Sequence, residues 1–268
     1  MYLFLGKRRI FYDMLGDSPT APVACLTHSL TADSGMWAEQ VPSLLAAGYR
    51  VLRIDMRGHG ASDPVEGDYS MDDLADDVAH VLSTLGLSDV TFIGLSIGGM
   101  LGQSLMLRYS HLLRCAVLCD TLPAAIPAAK QTWIERQSSV REAQSLAPLA
   151  QGTMERWFTP GLKRNRPARW QEIHTSILTT SAAGYLGCAA ALQNFDFTAQ
   201  LPGVKMPVLV ICGAADSGTP PAENQRLASL IPGARYVELA DSQHLTNVEQ
   251  PKAFNAALLD WLASVHPS

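Results

Sequence analysis

The sequence predicts an α/β fold: a mostly parallel sheet flanked by helices, with a helical cap inserted after strand 6. Three observations carry this. Short apolar, β-rich runs recur along the chain; helix-length amphipathic stretches separate most of them; and the segment between Asp120 and Met206 carries helical patterns with no convincing strand.

The elements follow in order. The N-terminal YLFLGKRRIFYDML reads as a hairpin at the sheet edge. Candidate strands then appear at 21–28 (APVACLTH), 49–55 (YRVLRID), 89–95 (DVTFIGL), 113–120 (LRCAVLCD), 206–213 (MPVLVICG) and 234–239 (ARYVEL). Between the second and third of these runs, Leu74, Val78, Val81, Leu82 and Leu85 share one face at helical spacing, and Gly86 supplies the stop. The division expected is a discontinuous core, 1–120 and 201–268, with 121–200 as the helical cap.

Composition narrows the function. The chain has 268 residues, 47% hydrophobic and 17% charged, which describes a globular protein and not a disordered one. Its net charge of −5 is spread without long runs, so no nucleic acid or anionic membrane partner is expected. No apolar run reaches the ~18 residues of a membrane span. The apolar start precedes its basic cluster, the reverse of a signal peptide. Five cysteines (Cys25, Cys115, Cys119, Cys188, Cys212) show no CxxC spacing and read as buried reduced thiols, which suggests the cytoplasm. A small-molecule partner is therefore expected, with a homo-oligomer left open.

The chemistry centres on GLSIGG. Gly94, Ser96 and Gly98 form G-x-S-x-G after a strand and before a helix-length stretch. A strand that turns at once into a helix forces its corner residue into a strained conformation, and small neighbours let the turn close. The serine hydroxyl then stands at the strand end, beside the unpaired amides of a helix N-terminus. A dinucleotide loop does not fit, because the glycines are not spaced GxGxxG.

A serine needs a base to take its proton and a carboxylate to orient that base, in the chain order Ser, acid, His. His244, in the polar loop LADSQHLTNVEQP, is the expected base, and Asp216, just past a buried strand, the expected acid, with Asp120 as its rival. His80, His111, His174 and His266 read as solvated or capping; His28 and His59 read as turn residues. The amides of Ile97 and Leu30 are the expected oxyanion donors. No cofactor or metal is expected.

The segments HSL…MW, VLRIDMRGHGASD, GLSIGGMLGQ, MERWFTPGL, GYLGCAAALQNFDF, GAADSGTPP and HLTNVEQP resemble α/β-hydrolases, specifically 3-oxoadipate enol-lactonases, over nearly the whole chain. The resemblance implies Ser96 as nucleophile, Asp216 as acid, His244 as base, and a cap pocket where Trp133, Arg136 and Trp157 touch substrate. Trp133, Trp157 and Phe158 could equally hold the cap on the core, and Arg136 could be a solvated helix charge. Two positions depart from the lactonase pattern, which carries asparagine at Asp120 and usually glycine at Thr31. A carboxylate at position 120, if it lined the pocket, would disfavour an anionic substrate.

The expectation is a cofactor-independent serine hydrolase opening an ester or lactone. Alternatives are a carboxylesterase or lactonase for neutral substrates, a carbon–carbon hydrolase or perhydrolase on the same residues, and a ligand receptor built on the fold. Haloalkane dehalogenation would need a carboxylate where this chain has Ser96.

Overall fold

The computed structural model describes residues 1–265, so His266 lies outside the described residues. Eight strands form one sheet: β1 (Tyr2–Leu5), β2 (Arg8–Leu15), β3 (Val23–Thr27), β4 (Arg50–Ile54), β5 (Val90–Leu95), β6 (Leu113–Cys119), β7 (Val208–Gly213) and β8 (Arg235–Leu239). Their spatial order is β1-β2-β4-β3-β5-β6-β7-β8. The β1–β2 hairpin closes one edge antiparallel, and every pairing from β4 to β8 is parallel. Strands β3, β5 and β7 are buried at every residue, as apolar runs covered on both faces must be.

The helices are α1 (Val41–Ala46), α2 (Met71–Thr84), α3 (Ile97–Arg108), α4 (Lys130–Ala143), α5 (Ala147–Trp157), α6 (Pro160–Asn165), α7 (Pro167–Thr179), α8 (Ala182–Gln193), α9 (Pro221–Leu230), α10 (Thr246–Glu249) and α11 (Pro251–Val265). Helix α2 starts at a reciprocal cap: Ser70 Oγ accepts from the Asp73 amide, and the Asp73 carboxylate accepts from the Ser70 amide. It buries Leu74, Val78, Val81 and Leu82, and Gly86 beyond it takes φ +64°. All five cysteines are free and buried. Among the described residues no single helix is long and apolar enough to cross a membrane; α7 and α8 meet that test only when joined across a 91° bend.

Helices α4 to α8 all fall between β6 and β7, and they are fastened to the loops at the carboxyl ends of the strands. The Ser181 amide donates to Gly58 O at 2.9 Å, and Gly58 and Gly184 approach so closely that a Cβ on either would lie within 2.6 Å of the other's Cα. Arg169 chelates Glu39 and also donates to Gly35 O and Met36 O. The Leu245 amide donates to Trp157 O at 3.3 Å, which ties the end of α5 to the loop before α10. These bonds hold the inserted helices over the carboxyl ends of the strands.

Candidate active site

That end of the sheet is where the chemistry-bearing residues gather. Ser96 follows β5, Asp120 follows β6, Asp216 follows β7, and His244 follows β8. Parallel strands deliver all four to the same end of the sheet, the usual ligand site of such folds.

Ser96 has φ +57° and ψ −119°, outside the regions that L-residues favour. Three hydrogen bonds over-determine it: its amide donates to Cys119 O at 2.8 Å, and its carbonyl accepts from Thr121 Oγ1 at 2.8 Å and from the Met100 amide at 3.0 Å. The flanking glycines are needed for closeness. A Cβ on Gly94 would lie 2.2 Å from Gly98 O, and one on Gly98 would lie 2.6 Å from Thr27 O. Ile97 opens α3, so its amide belongs to the unpaired first turn.

His244 Nδ1 lies 2.8 Å from Asp216 Oδ2, which assigns the ring proton to Nδ1 and leaves Nε2 as a base. The Asp216 carboxylate also accepts from the amides of Gly218 and Thr219, at 2.8 and 3.0 Å, and from the Thr219 hydroxyl. Burial opposes its ionised form, but the charge and hydrogen bond of His244 and the Thr219 bonds prevail and hold its pKa below 3.8. For His244 burial works downward, and Asp216 outweighs it and lifts the pKa above 6.5.

Ser96 and His244 line one cavity of about 440 Å³, together with Ser29, Leu30 and Thr31 from the loop after β3. That loop is pinned by His28, whose Nδ1 contacts Ser29 O at 2.8 Å and whose Nε2 accepts from the Met56 amide at 2.9 Å. The His59 ring lies beside it, tilted by 45° with ring centroids 5.2 Å apart. The loop positions expected for His28 and His59 hold, with both rings buried. His80 and His111 are exposed, whereas His174 is stacked on Trp170 at 5.1 Å and is neither solvated freely nor a cap.

The far wall comes from the inserted helices. Trp133, Arg136 and Trp157 all line the cavity, and Phe158 is buried elsewhere. Arg156, which no spacing in the sequence singles out, lines it too, as do Thr153 and Tyr185. Arg136 lies over the Trp133 ring at 5.1 Å, and Arg156 donates to Thr153 Oγ1 at 3.0 Å. Neither arginine has a carboxylate partner among the described residues. Burial, then the charge of Arg136, pulls the Arg156 pKa down, and both side chains are half-buried. Arg156 stands directly before Trp157 in the RWFTPGL motif, and only its helix orientation shows that it faces inward.

Asp120 requires a correction. It does not line the cavity and cannot bind substrate there. Fully buried, it accepts from the Gly213 amide at 2.8 Å through Oδ1 and bonds the Thr246 hydroxyl through Oδ2. Burial first, then repulsion from Asp216, raises its pKa well above 3.8. A neutral carboxyl there presents one acceptor and one donor, as an asparagine amide would. Asp120→Asn should therefore keep the substrate charge preference and stabilise the protein increasingly with pH. The sign follows from linkage: a carboxyl whose folded pKa is raised contributes most below its unfolded pKa of 3.8 and loses that contribution as pH rises through its folded value. Thermal melts of both proteins at pH 5 and pH 8 check this; a gain that shrinks toward pH 8 would contradict it.

Asp120, Cys212 and Asp216 bring potential ligand atoms within 4.8 Å of one another. Both carboxylates already carry hydrogen bonds, and burial pushes the Cys212 thiol up, away from the thiolate that a metal takes. The cluster reads as packing behind the site.

Known proteins share this fold. The family pattern described as alpha/beta hydrolase fold matches residues 22–251. A 3-oxoadipate enol-lactonase of Acinetobacter baylyi is 37% identical over 237 residues, covering 88% of this chain and 87% of that protein. The enol-lactonase structure from Burkholderia xenovorans superimposes with a TM-score of 0.93 at 34% identity, covering 98% of this chain and all of that one. A thermophilic esterase from Thermogutta terrifontis, solved with malate bound, gives 0.88 at 30% identity, covering 97% and 94%.

Proposed function

Because the chain belongs to the alpha/beta hydrolase fold family, we propose that it is a serine hydrolase opening a carboxylic ester or lactone whose acyl part carries a carboxylate, most like 3-oxoadipate enol-lactone. One observation carries the reading: a single cavity is lined by Ser96, by His244, which is paired with Asp216 behind it, and by Arg136 and Arg156, which have no carboxylate partner among the described residues.

His244 Nε2 takes the Ser96 proton as Oγ attacks the carbonyl carbon. The developing oxyanion is held by the amides of Leu30 and Ile97, and Asp216 stabilises the imidazolium. The imidazolium returns its proton to the leaving oxygen, which in a lactone stays tethered to the acyl group. Water, deprotonated by the same nitrogen, then attacks the acyl-enzyme and frees Ser96. No cofactor enters these steps. Residues 121–200 act as a cap that walls this chemistry in, over a core of 1–120 and 201–268. Arg136 and Arg156 take the substrate carboxylate, with Trp133 and Trp157 flanking it. A half-buried guanidinium without a carboxylate partner gains from an anion that it can bond directly. The enol-lactonase relatives, 37% and 34% identical, support this choice.

The test is steady-state hydrolysis of 3-oxoadipate enol-lactone beside a neutral lactone and an aryl acetate. The wild type should favour the anionic lactone in kcat/KM. Arg156→Met should cut that preference about 10- to 100-fold, the scale of a lost charge-assisted hydrogen bond. A wild-type preference for the neutral substrates would overturn the substrate assignment and leave the serine chemistry standing.

A further inference from the structure

The loop after β3 carries an unusual residue. Ala32 N donates to Ser29 O at 3.1 Å, closing a four-residue turn with Leu30 and Thr31 at its centre. Thr31 takes φ +66°, the left-handed conformation that this turn position ordinarily gives to glycine. For a β-branched side chain that backbone is a true outlier, and such strain persists where the surroundings enforce it.

No hydrogen bond of the side chain explains the strain. Thr31 is 4% exposed, and its Oγ1 is buried with no hydrogen-bond partner. Its carbonyl, not its hydroxyl, accepts from Ser176 Oγ at 3.4 Å. Yet Thr31 is part of the wall of the cavity that holds Ser96 and His244. A buried hydroxyl without a partner is costly unless something else completes it. Ser29, on the other side of Leu30, has a second such hydroxyl, but Thr31 alone combines it with the strained backbone.

We propose that Thr31 is a specificity-determining residue whose hydroxyl hydrogen-bonds an oxygen substituent on the acyl chain of the substrate, close to the scissile carbonyl. The proposal rests on the reading of Ser96 as nucleophile and of the Leu30 amide as oxyanion donor. Adjacent Cα atoms are about 3.8 Å apart. A carbonyl oxygen on the Leu30 amide therefore brings the next two or three acyl carbons alongside Thr31. An acyl group bearing a hydroxyl, keto or ether oxygen there would satisfy Oγ1, and a plain alkanoyl group would leave it unpaired. The cavity would thus select oxygenated acyl chains over hydrocarbon ones.

The test compares phenyl 3-hydroxybutanoate with phenyl butanoate for wild type, Thr31→Val and Thr31→Ser. Valine keeps the branched shape and removes the hydroxyl; serine keeps the hydroxyl. The ratio of kcat/KM, hydroxy ester to plain ester, should fall about tenfold in Thr31→Val, the scale of one neutral hydrogen bond, and stay near the wild-type ratio in Thr31→Ser. A Thr31→Val ratio equal to wild type, whatever the absolute rates, would overturn the proposal, as would an equal fall in Thr31→Ser. A wild type that turned over neither ester would instead overturn the serine-hydrolase reading and this proposal with it.

Discussion

Replacing Ser96 by alanine should lower kcat for ester or lactone opening by at least about 10⁴-fold, and by up to about 10⁶-fold if residual hydrolysis comes only from the remaining donors. The reason lies in the corner that Ser96 occupies. Its strained backbone is held by a bond to Cys119 O and by bonds from Thr121 Oγ1 and the Met100 amide, all of which involve main-chain atoms of residue 96 and survive the substitution. The fold should stay intact, because only a hydroxyl is removed. Removing Ser96 Oγ deletes the group that forms the covalent bond, and nothing else on the cavity wall is activated in the same way. Thr31 also belongs to this wall, but its hydroxyl is buried and makes no hydrogen bond to a base; the imidazole is oriented by Asp216. The check is single-substrate kinetics with an aryl acetate and a lactone, together with a thermal melt. Activity within about tenfold of wild type, in a folded variant, would remove Ser96 from the mechanism, since truncation of a true nucleophile costs far more.

Asp216→Asn should lower kcat by about 10⁴-fold, the cost of leaving the base in the wrong tautomer. Asp216 Oδ2 faces His244 Nδ1 at 2.8 Å, and an amide nitrogen in its place would turn a donor toward that ring nitrogen. The histidine would then place its proton on Nε2 and could no longer accept from Ser96. The pH profile should change as well. In wild type, kcat/KM should rise with pH as His244 loses its proton, with a midpoint above 6.5 because Asp216 outweighs the effect of burial. In the variant that midpoint should move down, since burial is then unopposed by the carboxylate. Asp120→Asn, whose carboxyl is occupied by Gly213 and Thr246, should leave kcat within a few-fold of wild type. If the two substitutions had the opposite ranking, Asp120 would be the orienting acid and the assignment would have to be exchanged.

Much of this protein is written locally. Strands β3, β5 and β7 are legible as β-rich apolar runs, and β6 as one interrupted by the exposed Arg114, because a strand covered on both faces has little polar side to show. Helix α2 is legible from the 3.6-residue spacing of Leu74, Val78, Val81 and Leu82, its Ser70 start and its Gly86 stop. Gly94, Ser96 and Gly98 announce the corner because only small neighbours allow the approach of Gly98 O and Thr27 O. The order Ser96, Asp216, His244 follows from the same local reading, since each residue ends or follows a recognisable strand.

The sequence by itself therefore determined the α/β layering, the corner serine and the candidate acid and base, all of which depend on contacts within a few residues or on the period of a single element. Tertiary structure alone decided which side chains face the cavity. Asp120 turned out to be hidden because β7 and α10 bring Gly213 and Thr246 to its two oxygens, partners 93 and 126 residues away. Arg156 turned out to face inward because packing, and no periodic signal in a mixed helix, fixes the rotation of α5 over the sheet. Thr31 turned out to be strained because the turn from Ser29 to Ala32 demands a left-handed residue. Local periodicity can place an element, but the direction of one side chain is set by neighbours that the chain meets only after folding.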